Sequence, residues 1–309
     1  MIRPLTPADI LSLINLQIES PLSEARPKRF LSSKTHPSVN IASLWFGTLF
    51  APITHTWIAT HGIRIRSLVS LQRRHGPAVW DVGSLVVADG ECDDSCSELL
   101  QGLGEFAGSM EATKLFLRLD DSSRLLRVAE NNDFKPYQTE VLYTYTMPER
   151  SAEPEAADGL RQKVDADLHG IYRMYHTCVP LQVRVAEGIT MQDWLACREH
   201  LNDENSAKEY LIESASEVRG WIRLCASSTS AFMEIIAPSQ NPEVSKKLVE
   251  FALSKVAAGA HISTLVPEYS TALATSLESA GFKAGPRMVS MLRPVAVPVK
   301  ETNAVPVGA

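Results

Sequence analysis

Ser122-Ser123-Arg124-Leu125-Leu126-Arg127-Val128-Ala129-Glu130-Asn131-Asn132-Asp133-Phe134 is repeated in outline by Ser270-Thr271-Ala272-Leu273-Ala274-Thr275-Ser276-Leu277-Glu278-Ser279-Ala280-Gly281-Phe282. Ser, Leu, Glu and Phe fall in register. In each stretch a hydroxyl residue can cap a short helix, a leucine marks its inner face, and Asp133 or Gly281 stops it before a phenylalanine. Working outward, a β-rich run precedes each helix (residues 114–119 and 262–266) and another follows it (141–147 and 288–292). Val87 to Phe134 and Ile236 to Phe282 are also nearly equal in length, as a duplicated unit would be.

The first copy opens on Thr6-Pro7-Ala8-Asp9, a helix start, followed by expected strands at 55–60, 63–73 and 78–88 and a helix at 97–107. His61-Gly62 and Gly76-Pro77 supply the turns of an antiparallel meander. The second copy reads as helices at 165–174 and 190–200, strands at 209–213, 218–226 and 231–236, and a helix at 243–257. Between the copies, Pro148 to Gly159 is polar, proline-bearing and without apolar periodicity. The expected division is a first domain over 1–148, a linker over 149–158, a second domain over 159–294 and a mobile tail over 295–309.

Composition narrows the function classes. The 309 residues carry a net charge of −6, with 45% hydrophobic and 21% charged residues, so the broad basic field needed for phosphate-backbone binding is missing and no nucleic-acid partner is expected. No signal peptide is read at the N-terminus. The long uncharged interval from Lys34 to Arg64 contains Asn40, Pro52, His55 and His61, which disfavours a membrane span. Five cysteines without framework spacing point to a reducing cytoplasm. Cys92 and Cys96 lack a neighbouring histidine, so no metal site is assigned.

The order of elements, with Ala129 to Phe134, Leu277 to Phe282 and the turn Trp57-Ile58-Ala59-Thr60-His61-Gly62-Ile63, resembles the GNAT superfamily of acetyl-CoA-dependent N-acetyltransferases across nearly the whole chain. The resemblance implies an α/β fold of two tandem GNAT-like domains, each a twisted mixed sheet flanked by helices. Each sheet would splay between its fourth and fifth strands, with acetyl-CoA in the gap. It also implies a glycine-rich pyrophosphate loop opening the next helix. The first copy has Ala88-Asp89-Gly90-Glu91-Cys92-Asp93-Asp94 there, whose carboxylates would repel a phosphate. Cofactor binding is therefore expected only in the second copy, by Ile235, Ile236 and Ala237 at the strand end and Ser239, Asn241, Val244 and Ser245 at the helix start.

The family's tyrosine acid should stand five residues before the phenylalanine, where this chain has Ala129 and Leu277. Tyr269 is the substitute acid in an active enzyme, or else a packing aromatic. Glu234, flanked by Phe232, Met233, Ile235 and Ile236, is the expected base if its apolar surroundings raise its pKa, or a solvent-facing residue if strand alternation turns it outward. Two functions stay open: acetyl transfer to a small-molecule or peptide amine in the second domain, and a non-catalytic module that binds a small molecule or protein in degenerate clefts. The oligomeric state is not legible.

Overall fold

In the computed structural model of the protein, residues 1–20, 22–31, 54–88, 93–149, 159–201 and 206–296 are described. The first half contains β1 (Ile2–Pro4), α1 (Ile10–Glu19), α2 (Lys28–Leu31), β2 (Thr54–His61), β3 (Arg64–Arg73), β4 (Val79–Val87), α3 (Asp93–Ser109), β5 (Lys114–Asp120), α4 (Leu125–Asn131) and β6 (Lys135–Thr146). The second half contains β7 (Leu160–Gln162), α5 (Leu168–Cys178), α6 (Leu181–Glu187), α7 (Met191–Ala196), β8 (Lys208–Ser214), β9 (Glu217–Ala226), β10 (Ser230–Ile236), α8 (Pro242–Lys255), β11 (His261–Pro267), α9 (Thr271–Ser279) and β12 (Lys283–Pro294). Most of the expected linker and tail, and residues 89–92 of the acidic loop, lie outside the described residues.

The two helix endings that open the sequence reading close in the same way. Asp133 and Gly281 adopt positive φ (66° and 91°), and the next amide reaches back across the last turn, Phe134 N to Ala129 O at 3.1 Å and Phe282 N to Leu277 O at 3.0 Å. This is the Schellman arrangement. It delivers each phenylalanine into a core, with Phe134 among residues of α3, α4 and β2–β5 and Phe282 among those of α8, α9 and β9–β11.

The strands form one twelve-stranded sheet in the order β1-β2-β3-β4-β5-β12-β6-β11-β10-β9-β8-β7. Exchanging each strand for its counterpart in the other half reverses this order, so the two copies are related by a pseudo-twofold axis between β12 and β6. The final strands have changed places. β12 lies between β5 and β6, and β6 lies between β12 and β11, so each half's fifth strand is completed by the other half's last strand. Helices cover both faces: α1 packs with Ile58, Leu68 and Val86 on one side of the first half, and α3 and α4 on the other.

The expected helix over 190–200 is shorter. Thr190 caps it through Asp193 N at 3.1 Å, but it ends at Ala196 because the first half takes the carbonyls that follow. Gly76 N bonds Ala196 O at 2.9 Å and His75 N bonds Arg198 O. Gly76 lies so close to Ala196 that a side chain would not fit there. The preceding helix α6, between Pro180 and Gly188, was not expected from sequence.

Candidate functional site

The sheet opens where the fourth and fifth strands of each half part. β4 pairs in parallel with β5 only from Val79↔Lys114 to Asp81↔Phe116, and β10 with β11 only from Ser230↔His261 to Phe232↔Ser263. The two gaps differ. In the first half, residues 23–26 fill the opening: Glu24 N donates to Leu85 O at 2.7 Å, Leu85 N to Ser23 Oγ at 3.0 Å, and Arg26 N to Arg118 O at 2.9 Å. Ala25 is wholly buried between them. The strand edges at Leu85 and Arg118 are thus hydrogen-bonded by the chain itself.

In the second half, the edge of β10 beyond Phe232 makes no ladder bond toward β11, and the space holds a cavity of about 130 Å³ lined by Ile235, Ile236, Ala237, Glu234 and Tyr269 among others. The first half closes it with Lys28, Arg74, Gln138 and Glu140. Among the expected cofactor-binding residues, only Ile235, Ile236 and Ala237 line this space. Ser239 Oγ donates to Tyr269 O at 3.1 Å, tying the end of β10 to the turn after β11. Asn241 is an exposed N-cap whose side chain caps nothing. Val244 and Ser245 turn inward from α8 and are buried, Val244 in the core cluster against Gly220.

Glu234 does point into the cavity, but its expected raised pKa is overturned. Burial alone would push it up, yet Lys28 Nζ at 2.7 Å, Arg223 Nη1 at 3.2 Å and the nearby Arg198 outweigh burial and hold it at about 2. A carboxylate pinned between two cations is a weak proton acceptor. It is one member of an ion-pair cluster, and Glu234→Gln should keep the fold while lowering stability by roughly 1–3 kcal/mol at neutral pH, since the largely buried Lys28 and Arg223 each lose a carboxylate partner. A depressed pKa contributes stability above the ordinary carboxylate range and loses it as pH falls toward 2. Urea titrations should therefore show the parent and variant converging below about pH 4; a constant difference down to pH 2 would contradict the assignment.

Behind Glu234 lies a buried ionic network that joins the halves. Arg118 on β5 binds Glu199 through Nη2 at 2.6 Å and Nη1 at 3.1 Å, and Glu140 through Nε at 2.9 Å; Ser290 on β12 also donates to Glu140 at 2.7 Å. Asp81 on β4 is buried and paired to Arg74 at 2.7 Å. Burial nonetheless keeps its pKa raised, helped by the charge of Glu199.

The cavity also contains a carboxylate that sequence reading missed. Glu187 ends α6, half-buried, and accepts hydrogen bonds from Tyr137 at 3.3 Å and Tyr175 at 3.4 Å. Among the described residues it makes no ion pair. Burial raises its pKa, and Glu140 and Glu199 add to the rise while Lys28 and Arg74 oppose it. One local signal was available: a glutamate at the C-terminus of a helix, just before a glycine, opposes the helix dipole. Tyr269 faces the same space, its phenol kept protonated by burial and by the fields of Glu187 and Glu140.

No protein-family model matches this chain, and no curated protein matches its sequence. Solved structures do resemble it. A GCN5-related N-acetyltransferase from Sphaerobacter thermophilus superposes with a TM-score of 0.56 at 14% identity, covering 96% of this chain and 97% of that one. A tandem GNAT protein from the clavulanic acid biosynthesis pathway superposes with a TM-score of 0.51 at 12% identity, covering 97% and 99%. These likenesses show the fold: a tandem GNAT arrangement over nearly the full chain.

Proposed function

We propose, for a chain that carries the tandem GNAT fold, acetyl transfer from acetyl-CoA to a small-molecule or peptide amine in the second-half cleft. The observation that supports this reading is the asymmetry of the two gaps: residues 23–26 seal the first, while the second opens onto a cavity with ionisable walls. Catalysis then belongs to residues 159–294, and residues 1–148 complete the cavity and brace it. A cytoplasmic setting is part of the proposal, since Cys178 and Cys197 stand as thiols. Among the described residues, no helix is long and apolar enough to cross a membrane.

The residues present fit acetyl-CoA at its acyl end. The unladdered edge at Ile235, Ile236 and Ala237 would hold the pantetheine arm, and the amides of Ser239, Gln240 and Glu243, which have no intramolecular partner among the described residues, would meet the pyrophosphate with Lys246 and Lys247 one turn on. When bound, the cofactor supplies an activated acetyl carbonyl and a thiolate leaving group. Tyr269 holds its phenolic proton beside that end of the cavity and can donate to the departing sulfur. Tyr269→Phe should lower turnover about a hundredfold with acetyl-CoA affinity unchanged, read by thiol release and calorimetry. An unchanged rate would return Tyr269 to packing.

A second reading, a non-catalytic small-molecule module, is favoured by one feature of the same loop. Pro242 has no N–H, the amides of Asn241 and Val244 bond Pro238 O and Asn241 O, and the Ser239 hydroxyl is used across the gap, so few donors remain for phosphate. Titration of acetyl-CoA by calorimetry separates the two. Heat with thiol release on adding primary amines supports transfer, and no heat at millimolar acetyl-CoA leaves the module.

A further inference from the structure

We propose that the second-half cavity is a recognition site for a single ammonium group, received by Glu187 and by the side-chain carbonyl of Gln138, on a ligand with a small apolar body. The inference deepens the acyl-transfer reading and rests on it in one respect, that the ammonium would belong to the acceptor; the site itself stands on the ion pairs and hydrogen bonds of the cavity wall.

Four carboxylates line the cavity: Glu140, Glu187, Glu199 and Glu234. Three are in ion pairs. Arg118 serves Glu140 and Glu199, Arg74 and Lys28 also approach Glu199 at 3.6 and 3.8 Å, and Lys28 with Arg223 serves Glu234. Arg74 pairs with Asp81 as well, and Arg198 with Glu209 at 3.1 Å. Glu187, held by two phenols, has no ion-pair partner among the described residues. A buried uncompensated carboxylate either takes up a proton or receives a cation.

The second observation is independent of charge. Gln138 lines the same cavity, and its Oε1 is buried without a hydrogen-bond partner. Such orphaned acceptors are uncommon in native interiors and call for a donor. An ammonium is the complementary group, with three N–H donors and no acceptor. The rings of Tyr175, Trp194, Trp221 and Tyr269 in the cavity wall suit a cation carrying an apolar body. A second positive charge on the ligand would meet carboxylates that already have partners, so the site is matched to a monocation.

The groups around Glu187 determine its pH behaviour. It meets Tyr137 and Glu140 from β6, Tyr175 and Cys178 from α5, Lys28 from α2, Arg74 between β3 and β4, Cys197 and Glu199 after α7, and Tyr269 before α9. Lys114 Nζ donates to Ala186 O at 2.7 Å, placing a further positive charge beside the end of α6. Because the unliganded carboxyl titrates above the ordinary carboxylate range, ammonium binding at mildly acidic pH must release a proton, and affinity falls as pH drops through that raised pKa.

The test uses n-butylammonium, n-butanol as its neutral counterpart and 1,4-diaminobutane as a dication, titrated calorimetrically into the full chain. n-Butylammonium should bind at least about tenfold more tightly than either comparator, and Glu187→Gln should remove about that factor while leaving n-butanol unchanged. Gln138→Met should weaken it by a smaller factor. If Glu187→Gln does not fold, proton release by the parent decides: binding heats in buffers of different ionisation enthalpy should diverge at mildly acidic pH and converge as pH rises. Equal binding of n-butanol and n-butylammonium, or no proton release, overturns the proposal. Glu187-dependent amine binding without any affinity for acetyl-CoA would keep this site and remove the transfer reading, whereas turnover without Glu187-dependent amine binding would do the reverse.

Discussion

Arg118→Met should cost about 3–5 kcal/mol of unfolding free energy at neutral pH, a large part of what a typical native protein has. The guanidinium is buried and uses all three of its nitrogens: Nε on Glu140 and Ser290, Nη1 on Glu199 and Arg26 O, and Nη2 on Glu199. Those partners come from β6, β12, the segment that seals the first gap, and the stretch after α7. Removing the cation strands Glu140 in the interior, where it must stay unpaired by any cation or bind a proton, and leaves Glu199 only the longer contacts to Arg74 at 3.6 Å and Lys28 at 3.8 Å. Arg118→Lys should fall between parent and Met, because an ammonium cannot reproduce the planar fork. Adding Glu140→Gln to Arg118→Met should recover part of the loss, since it removes the stranded charge. Chemical denaturation at pH 7 checks all three variants; a Met variant within 1 kcal/mol of the parent would mean that water reaches the network.

Ending the chain at Phe282 should abolish cooperative folding of the whole protein, not only of its second half. β12 is an interior strand, hydrogen-bonded from Met288↔Asp120 to Pro294↔Lys114 on one side and to β6 on the other. Met288 and Met291 are buried, the latter in the first-half core with Leu117 and Leu119. Its removal leaves two ladders unpaired in the middle of the sheet. For the same reason, cutting near Pro154 should give fragments that aggregate or remain partly unfolded alone and re-form a native complex when mixed, because each supplies the strand that the other lacks. Circular dichroism and size-exclusion chromatography would read both experiments. A fragment ending at residue 148 that is monomeric and melts within a few degrees of the full chain would show that β5 and β6 can pair without β12. The expected division into domains over 1–148 and 159–294 carries no sign of this exchange of final strands.

The sequence by itself determined what is local. The capping serines, the inward leucines and the stops at Asp133 and Gly281 were legible because a helix end is decided by a few neighbouring residues, and both stops take the left-handed backbone that a Schellman ending requires. The meander β2–β3–β4 was legible because alternation and turn residues act over a few positions. Tertiary structure alone decided what depends on distant partners. Nothing in residues 23–26 signals that they will seal the first gap, and nothing near Glu234 signals Lys28, which comes from α2 in the other half of the chain. An apolar neighbourhood in sequence was therefore read as a raised pKa, when Coulomb attraction at 2.7 Å outweighs the desolvation that those neighbours impose. Glu187 shows the converse: a residue with no motif around it becomes the carboxylate of the cavity wall that has no ion pair among the described residues, because Arg118, Lys28, Arg74 and Arg223 are brought to Glu140, Glu199 and Glu234. Register and strand order bring those elements together, and both are set by which ladders and cores close at lowest free energy over the whole sheet, a quantity that no local window of sequence contains.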